Sequence, residues 1–133
     1  MNPNEQLVRN FFAAFDNGDM QALGDILADD VIHHEPGLSD LAGDYEGKEM
    51  VFDFFRRIGE RTNGTLHIEA VRDVFGSDDR AVALFTAAGE RDGEVISWDV
   101  AEVYEVKAGK ITDIRAHVFN PTDLDRVFGQ SHG

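Results

Sequence analysis

The chain has no cysteine, which excludes disulfides, thiolate metal sites and a cysteine nucleophile together. It is also poor in basic residues: three Lys and nine Arg stand against 26 Asp and Glu, for a net charge of -14. So few cations, scattered along the sequence, build no basic patch. The acid excess makes nucleic acid and anionic membrane surfaces poor partners, so neither is expected. Long apolar runs are missing as well; the longest have four or five residues, far short of a membrane span. No basic region followed by an apolar stretch opens the sequence, so no signal peptide is expected and the protein is placed in the cytoplasm.

What is present is enough for one core. A chain of 133 residues, 42% hydrophobic and with ten Phe, can bury roughly two-thirds of its unfolded surface around a single centre. No linker or repeat divides it, so residues 1–133 are read as one domain. Most of its carboxylates must be solvated. The functional question is which of them are not.

The first half reads as helical. Leu7, Val8, Phe11, Phe12 and Phe15 recur at helical spacing after an Asn2-Pro3 or Asn4 start signal, and Asn17-Gly18-Asp19 stops that helix and caps the next. Leu23, Ile26 and Leu27 mark a short second helix closed by Asp29-Asp30. Val31 to Glu35 reads as a short strand, and the residues from Pro36-Gly37 to about Gly47 as a loop. A third helix carries Met50, Val51, Phe54, Phe55 and Ile58 on one face. From Thr65 the pattern becomes strand-like, in four runs: Leu66 to Phe75, Ala81 to Arg91, Glu94 to Val106 and Lys110 to Phe119. Asp92-Gly93 between the second and third is a hairpin signal. Pro121 to Phe128 reads as a short terminal helix or tail. Helices first and an antiparallel meander afterwards make an α+β fold, a cone with helices on one face of a curling sheet.

Strand parity then sorts the carboxylates. His33 and Glu35 share one face of their strand, and His34 points the other way. In the third run of the meander, Trp98, Val100, Glu102 and Tyr104 share a face that is mostly apolar or aromatic, hence interior. Glu102 is then a carboxyl among large apolar side chains, where burial raises its pKa. Asp99 falls on the opposite face with Ala101 and Val103; a bulge would be needed to bring it in. Adjacent His residues on a strand cannot readily chelate one ion, and a metal site would need His67 or His117 as well. No metal and no cofactor is expected.

Phe11-Phe12-Ala13-Ala14-Phe15-Asp16-Asn17-Gly18-Asp19, then Leu27-Ala28-Asp29-Asp30 and Glu35-Pro36, resemble the opening of bacterial ketosteroid isomerases, within the wider SnoaL-like, nuclear transport factor 2-like superfamily. Gly109-Lys110-Ile111 followed by Ile114-Arg115-Ala116 resembles its last hairpin. The resemblance covers nearly the whole chain. It implies the cone-shaped fold, with three N-terminal helices on a strongly curved, mostly antiparallel sheet. It also implies a homodimer formed through the outer sheet face.

Carried over residue by residue, the resemblance makes Glu35 the general base, in place of the family's Asp before Pro, and Glu102 the protonated acid of the oxyanion hole. The family's oxyanion Tyr corresponds to Phe11, which has no donor. Losing one such donor costs about 10²–10³ in rate, so efficient steroid isomerisation is not expected. His33 is a tuning partner for Glu35. Phe11, Phe15, Phe54, Trp98, Val100, Ile114, Ala116 and Val118 are the expected contacts to a small apolar molecule. The superfamily spans isomerases, cyclases, dehydratases, hydrolases and non-catalytic modules. The expectation is therefore an acid–base enzyme acting on an apolar or polycyclic carbonyl compound, with a non-catalytic ligand-binding or dimerisation module as the alternative. Epoxide hydrolysis needs an Asp–Arg–Asp-like cluster, and Ala116 stands where such an acid would sit.

Overall fold

The computed structural model describes residues 1–129. Its first helix, α1 (Pro3–Asn17), is set by local chemistry at both ends. The Asn2 side chain accepts from the backbone N–H groups of Asn4 and Glu5, Pro3 occupies the first turn, and Gly18 closes the helix in the left-handed conformation. Asp19 then caps α2 (Met20–Ile26) by accepting from Ala22 N–H. α3 (Lys48–Arg61) buries Val51, Phe54 and Ile58. Phe55 is half-buried, and Met50, at the flank of this stripe, is 49% exposed rather than part of the inner face.

Six strands form one sheet: β1 (Leu27–Glu35), β2 (Gly43–Glu46), β3 (His67–Gly76), β4 (Arg80–Arg91), β5 (Glu94–Lys107) and β6 (Lys110–Val118). Their order is β2-β1-β6-β5-β4-β3. Every pair is antiparallel except β1 with β6. The turn between β4 and β5 carries Asp92 and Gly93 at φ 52° and 83°, the doubly positive geometry that matches strand twist.

Two expectations need correction. Leu27 to Asp30 is not the end of a helix but the start of β1. Leu27 pairs with Ile111, and the next pair is Ile32 with Asp113, so β1 spends five steps where β6 spends two. Asp29 and Asp30 lie exposed in that bulge. The segment read as an uninterrupted loop up to Gly47 holds β2, which pairs with β1 from Ile32–Glu46 to Glu35–Gly43. Both errors have one cause: the hydrogen-bonding partner, not the local pattern, makes these segments strands.

The helices cover one face of the curved sheet, and the core lies between them. Pro121–Phe128 is a helix, α4, capped by the Asn120 side chain. It packs against β4, β5 and α3. Arg91 donates to Val127 O at 2.8 Å and Leu38 N–H to Asp125 Oδ1 at 2.8 Å. Arg61 bridges Asp40 and the Phe128 carbonyl. These bonds seat α4 across one end of the cone.

Candidate functional site

The inner face of β1 ends in a pair of titratable groups. His33 is 5% exposed, and its Nε2 lies 3.0 Å from Glu35 Oε1. An ionised carboxylate only accepts, so with Glu35 charged the hydrogen sits on Nε2 and Nδ1 is left over. Nδ1 is buried and has no hydrogen-bond partner among the described residues. The imidazole ring lies 4.7 Å from the Phe54 ring and 6.1 Å from that of Phe55. An unpaired buried polar atom costs about 1–3 kcal/mol, and that cost is recovered when a ligand atom bonds it.

On β5 the alternation runs as the sequence predicts. Trp98, Val100, Glu102 and Tyr104 are all buried on the inner face, and Asp99 faces outward, where it accepts from Thr86 Oγ1 at 2.6 Å. The Tyr104 hydroxyl donates to Glu102 Oε1. Burial pushes the Glu102 carboxyl above the usual carboxylate range. His33 and the Tyr104 bond oppose that rise, and Glu35 adds to it. Burial holds the Tyr104 phenol well above its ordinary value as well, so the phenol is the donor of the pair. With Oε1 engaged in accepting, a proton on Glu102 is best placed on its other oxygen.

Glu35, His33 and Glu102 open onto the same narrow pocket of about 90 Å³, otherwise walled by apolar side chains. Of the expected apolar contacts, Phe11, Phe15, Phe54, Trp98, Val100, Ala116 and Val118 line it. Ile114 does not. It pairs with His33 on one side and Tyr104 on the other, in the middle of the sheet, where it is fully buried in the core. Phe11 lies edge-on to Tyr104, with ring centroids 6.0 Å apart. The phenol next to Glu102 is therefore supplied by the sheet and not by α1. By its i, i+2 spacing from Glu102, Tyr104 is expected on the same face, but the sequence assigns it no role. Leu124 and Phe128 of α4 were not anticipated in the wall; Phe128 meets Trp98 edge-to-face at 5.5 Å.

The other singled-out residues lie elsewhere. His34 faces away from the pocket, with Nδ1 2.7 Å from Asp44 Oδ1 and Nε2 2.8 Å from Asp113 Oδ1. His117 is exposed on the outer side of β6. His67 bonds the Thr65 carbonyl. Tyr45, the chain's other tyrosine, is also away from this pocket, its hydroxyl donating to Leu41 O at 2.6 Å. Among the described residues, no three His, Asp or Glu side chains gather in a way that would hold a metal ion.

A family model described as a SnoaL-like domain matches residues 8–114. The structure superposes on Bal32a, from a soil-derived mobile gene cassette, with a TM-score of 0.90 at 33% identity, covering 95% of this chain and 96% of that one. A protein of unknown function with a cystatin-like fold from Xanthomonas campestris gives a TM-score of 0.90 at 26% identity, covering 98% of this chain and all of the other. An uncharacterised protein of Mycobacterium tuberculosis is 29% identical over 115 residues, 86% of this chain and 88% of that one.

Proposed function

The chain belongs to the SnoaL-like domain family, and on that premise we propose that it is a small-molecule acid–base enzyme of isomerase, cyclase or dehydratase type, acting on an apolar carbonyl compound. The observation that carries this reading is the meeting of two carboxyls with different surroundings in one apolar pocket. Glu35 is hydrogen-bonded by an imidazole; Glu102 is buried, with its pKa raised. Carboxyls set apart in this way divide the work of base and acid between them. Glu35 takes the proton next to the carbonyl. Glu102, neutral, donates to the oxygen on which negative charge develops. His33 holds Glu35 through Nε2, and its Nδ1 meets a polar atom of the ligand.

A general test does not need the natural substrate. In D₂O, the protein should speed α-proton exchange of small open-chain ketones such as acetone and butanone, read by NMR. The rate should fall on the alkaline side of its pH profile as buried Glu102 loses its proton. Glu35→Gln should lose about 10²–10⁴ of the exchange rate, and Glu102→Leu about 10²–10³. Unchanged exchange in both variants would sink the reading.

The second reading, a non-catalytic binding module, is favoured by Phe11 and by the size of the pocket. It predicts ligand binding without exchange. In either case the proposed partners are a small apolar molecule and a second copy of the chain, with no nucleic acid or membrane, and the proposed location is the cytoplasm. The homodimer reading draws on the outer sheet face, where the half-buried pairs Val82–Val103 and Leu84–Ala101 make an apolar strip. Sedimentation of the protein at micromolar concentration tests it.

A further inference from the structure

The pocket is too small for much of the class assigned to it. Drug-sized ligands occupy roughly 300–1,000 Å³, and even a benzene takes a cavity of about 150 Å³, against about 90 Å³ here. A compact carbonyl group fits; a polycyclic molecule does not.

A larger hollow lies directly outside. A surface groove of about 940 Å³ runs along α3, and where α1 and α2 meet that helix its floor is Phe15, Leu23, Phe52, Phe55 and Leu66. Phe15, Phe55 and Leu66 also wall the inner pocket. One layer of side chains therefore divides the two spaces. Phe15 and Phe55 meet edge-to-face at 5.4 Å, and the far side of Phe55 reaches the His33 ring. These three residues are only partly buried, unlike Phe11 and Phe54 behind them.

Two of the three sit at element ends. Phe15 is in the last turn of α1, before Gly18. Leu66 is in the connection from α3 to β3, just after Asn63 and Gly64 at positive φ. Rings and a leucine so placed change rotamer without disturbing the strand ladder. On α4, by contrast, three separate hydrogen-bonding attachments resist opening.

We propose that the groove is a second subsite: it holds the apolar tail of a ligand whose compact head reaches Glu35 and Glu102, and Phe15, Phe55 and Leu66 are the gate the tail passes. This rests on reading the inner pocket as the site of chemistry. The ligand class is a ketone or enol with a hydrocarbon tail of several carbons. The floor of the groove is apolar, which suits such a tail; Glu49, Asp53, Arg56 and Arg57 also line the groove, with Asp53 and Arg56 paired to each other.

Acetone and the straight-chain 2-alkanones up to 2-octanone test this, because a methyl ketone is a head compact enough for the inner pocket. Trp98 is the sole tryptophan and lines the inner pocket, so its fluorescence reports entry of the head. The expected result is that acetone perturbs Trp98 and that affinity rises by up to about fourfold for each added methylene. Phe52→Ser alters the groove and not the pocket; it should flatten that rise and leave acetone itself unchanged, with Phe52→Leu restoring it. If acetone binds but the tail adds nothing, or if Phe52→Ser leaves the rise intact, the second subsite is overturned and the inner site stands. If no 2-alkanone perturbs Trp98, the reading of the inner pocket falls with it.

Discussion

On the inner face of β1, His33 stands in an apolar pocket with one carboxylate partner and one buried nitrogen left over. On the outer face, His34 is held by Asp44 and Asp113, one at each ring nitrogen. The same alternation repeats on β5, where Glu102 faces inward to the pocket and Asp99 outward to Thr86. Bonding separates the two histidines: His34 has both ring nitrogens engaged by neighbours on adjacent strands, while His33 keeps one to spare. Glu102 and Asp99 each accept a side-chain hydrogen bond and differ in burial. A group kept buried with a bond to spare is arranged for something that arrives.

Breaking the inner member should have the largest effect. His33→Leu removes the bond to Glu35 and the free Nδ1 together, yet keeps an apolar side chain against Phe54. Exchange of α-protons is expected to fall about 10²-fold, the scale of a misplaced base; buried Glu35 loses its donor, a cost of about 1–3 kcal/mol that removal of the unpaired Nδ1 offsets in part. The matching change on the outer face, His34→Gln, should leave exchange within about twofold of the wild type. Equal losses in the two variants would mean that parity on β1 does not separate function from support.

Next in size is Tyr104→Phe. Without the phenol, buried Glu102 loses its donor, which is expected to cost about 1–3 kcal/mol of stability in urea unfolding. The Tyr104 bond favours the ionised form of Glu102. Its loss should therefore raise the Glu102 pKa further and move the alkaline limb of the exchange profile to higher pH. A limb that stays in place would assign that limb to another group.

Most of this division between faces was legible in the sequence. The parity of Trp98, Val100, Glu102 and Tyr104 holds because β5 lies between β4 and β6 and alternates cleanly along the segment that carries the site; its register shift comes later, between Glu105 and Val106. The limits of α1 were legible too, since Asn2, Pro3 and Gly18 act within a turn of themselves. Leu27 as a strand residue was not, because its partner is Ile111, far along the chain. Nor was the absence of Ile114 from the pocket wall. Parity gives the face a residue takes but not its depth, and depth depends on how closely the helices approach. For the same reason the pocket's volume, and its sharing of Phe15, Phe55 and Leu66 with an outer groove, emerge only from the packing of α1 on α3.

The smallest expected effect belongs to the outer histidine and gives the comparison its pH signature. Both carboxylates at His34 are acceptors, so the geometry suits an imidazolium that donates from both nitrogens. Burial works against that charge, but the hydrogen bonds to Asp113 and Asp44 outweigh it, and the pKa is raised. A pKa higher in the folded than in the unfolded chain means that the folded protein holds its proton longer. The stabilisation is then complete below the unfolded value of about 6.5 and is lost as pH rises through the folded one. Asp44 is 65% exposed, so solvent screening keeps the contribution to roughly 0.5–1 kcal/mol. Urea midpoints measured from pH 5 to 9 should decline in the wild type above about pH 6.5, more steeply than in His34→Gln, with the two curves converging at the alkaline end. Glu102 contributes a decline of the same sign that begins lower, above the ordinary carboxyl range, and it remains in His34→Gln because it belongs to the other face. Parallel curves across the whole range would mean that His34 is neutral in the folded protein and that the two faces differ only in burial.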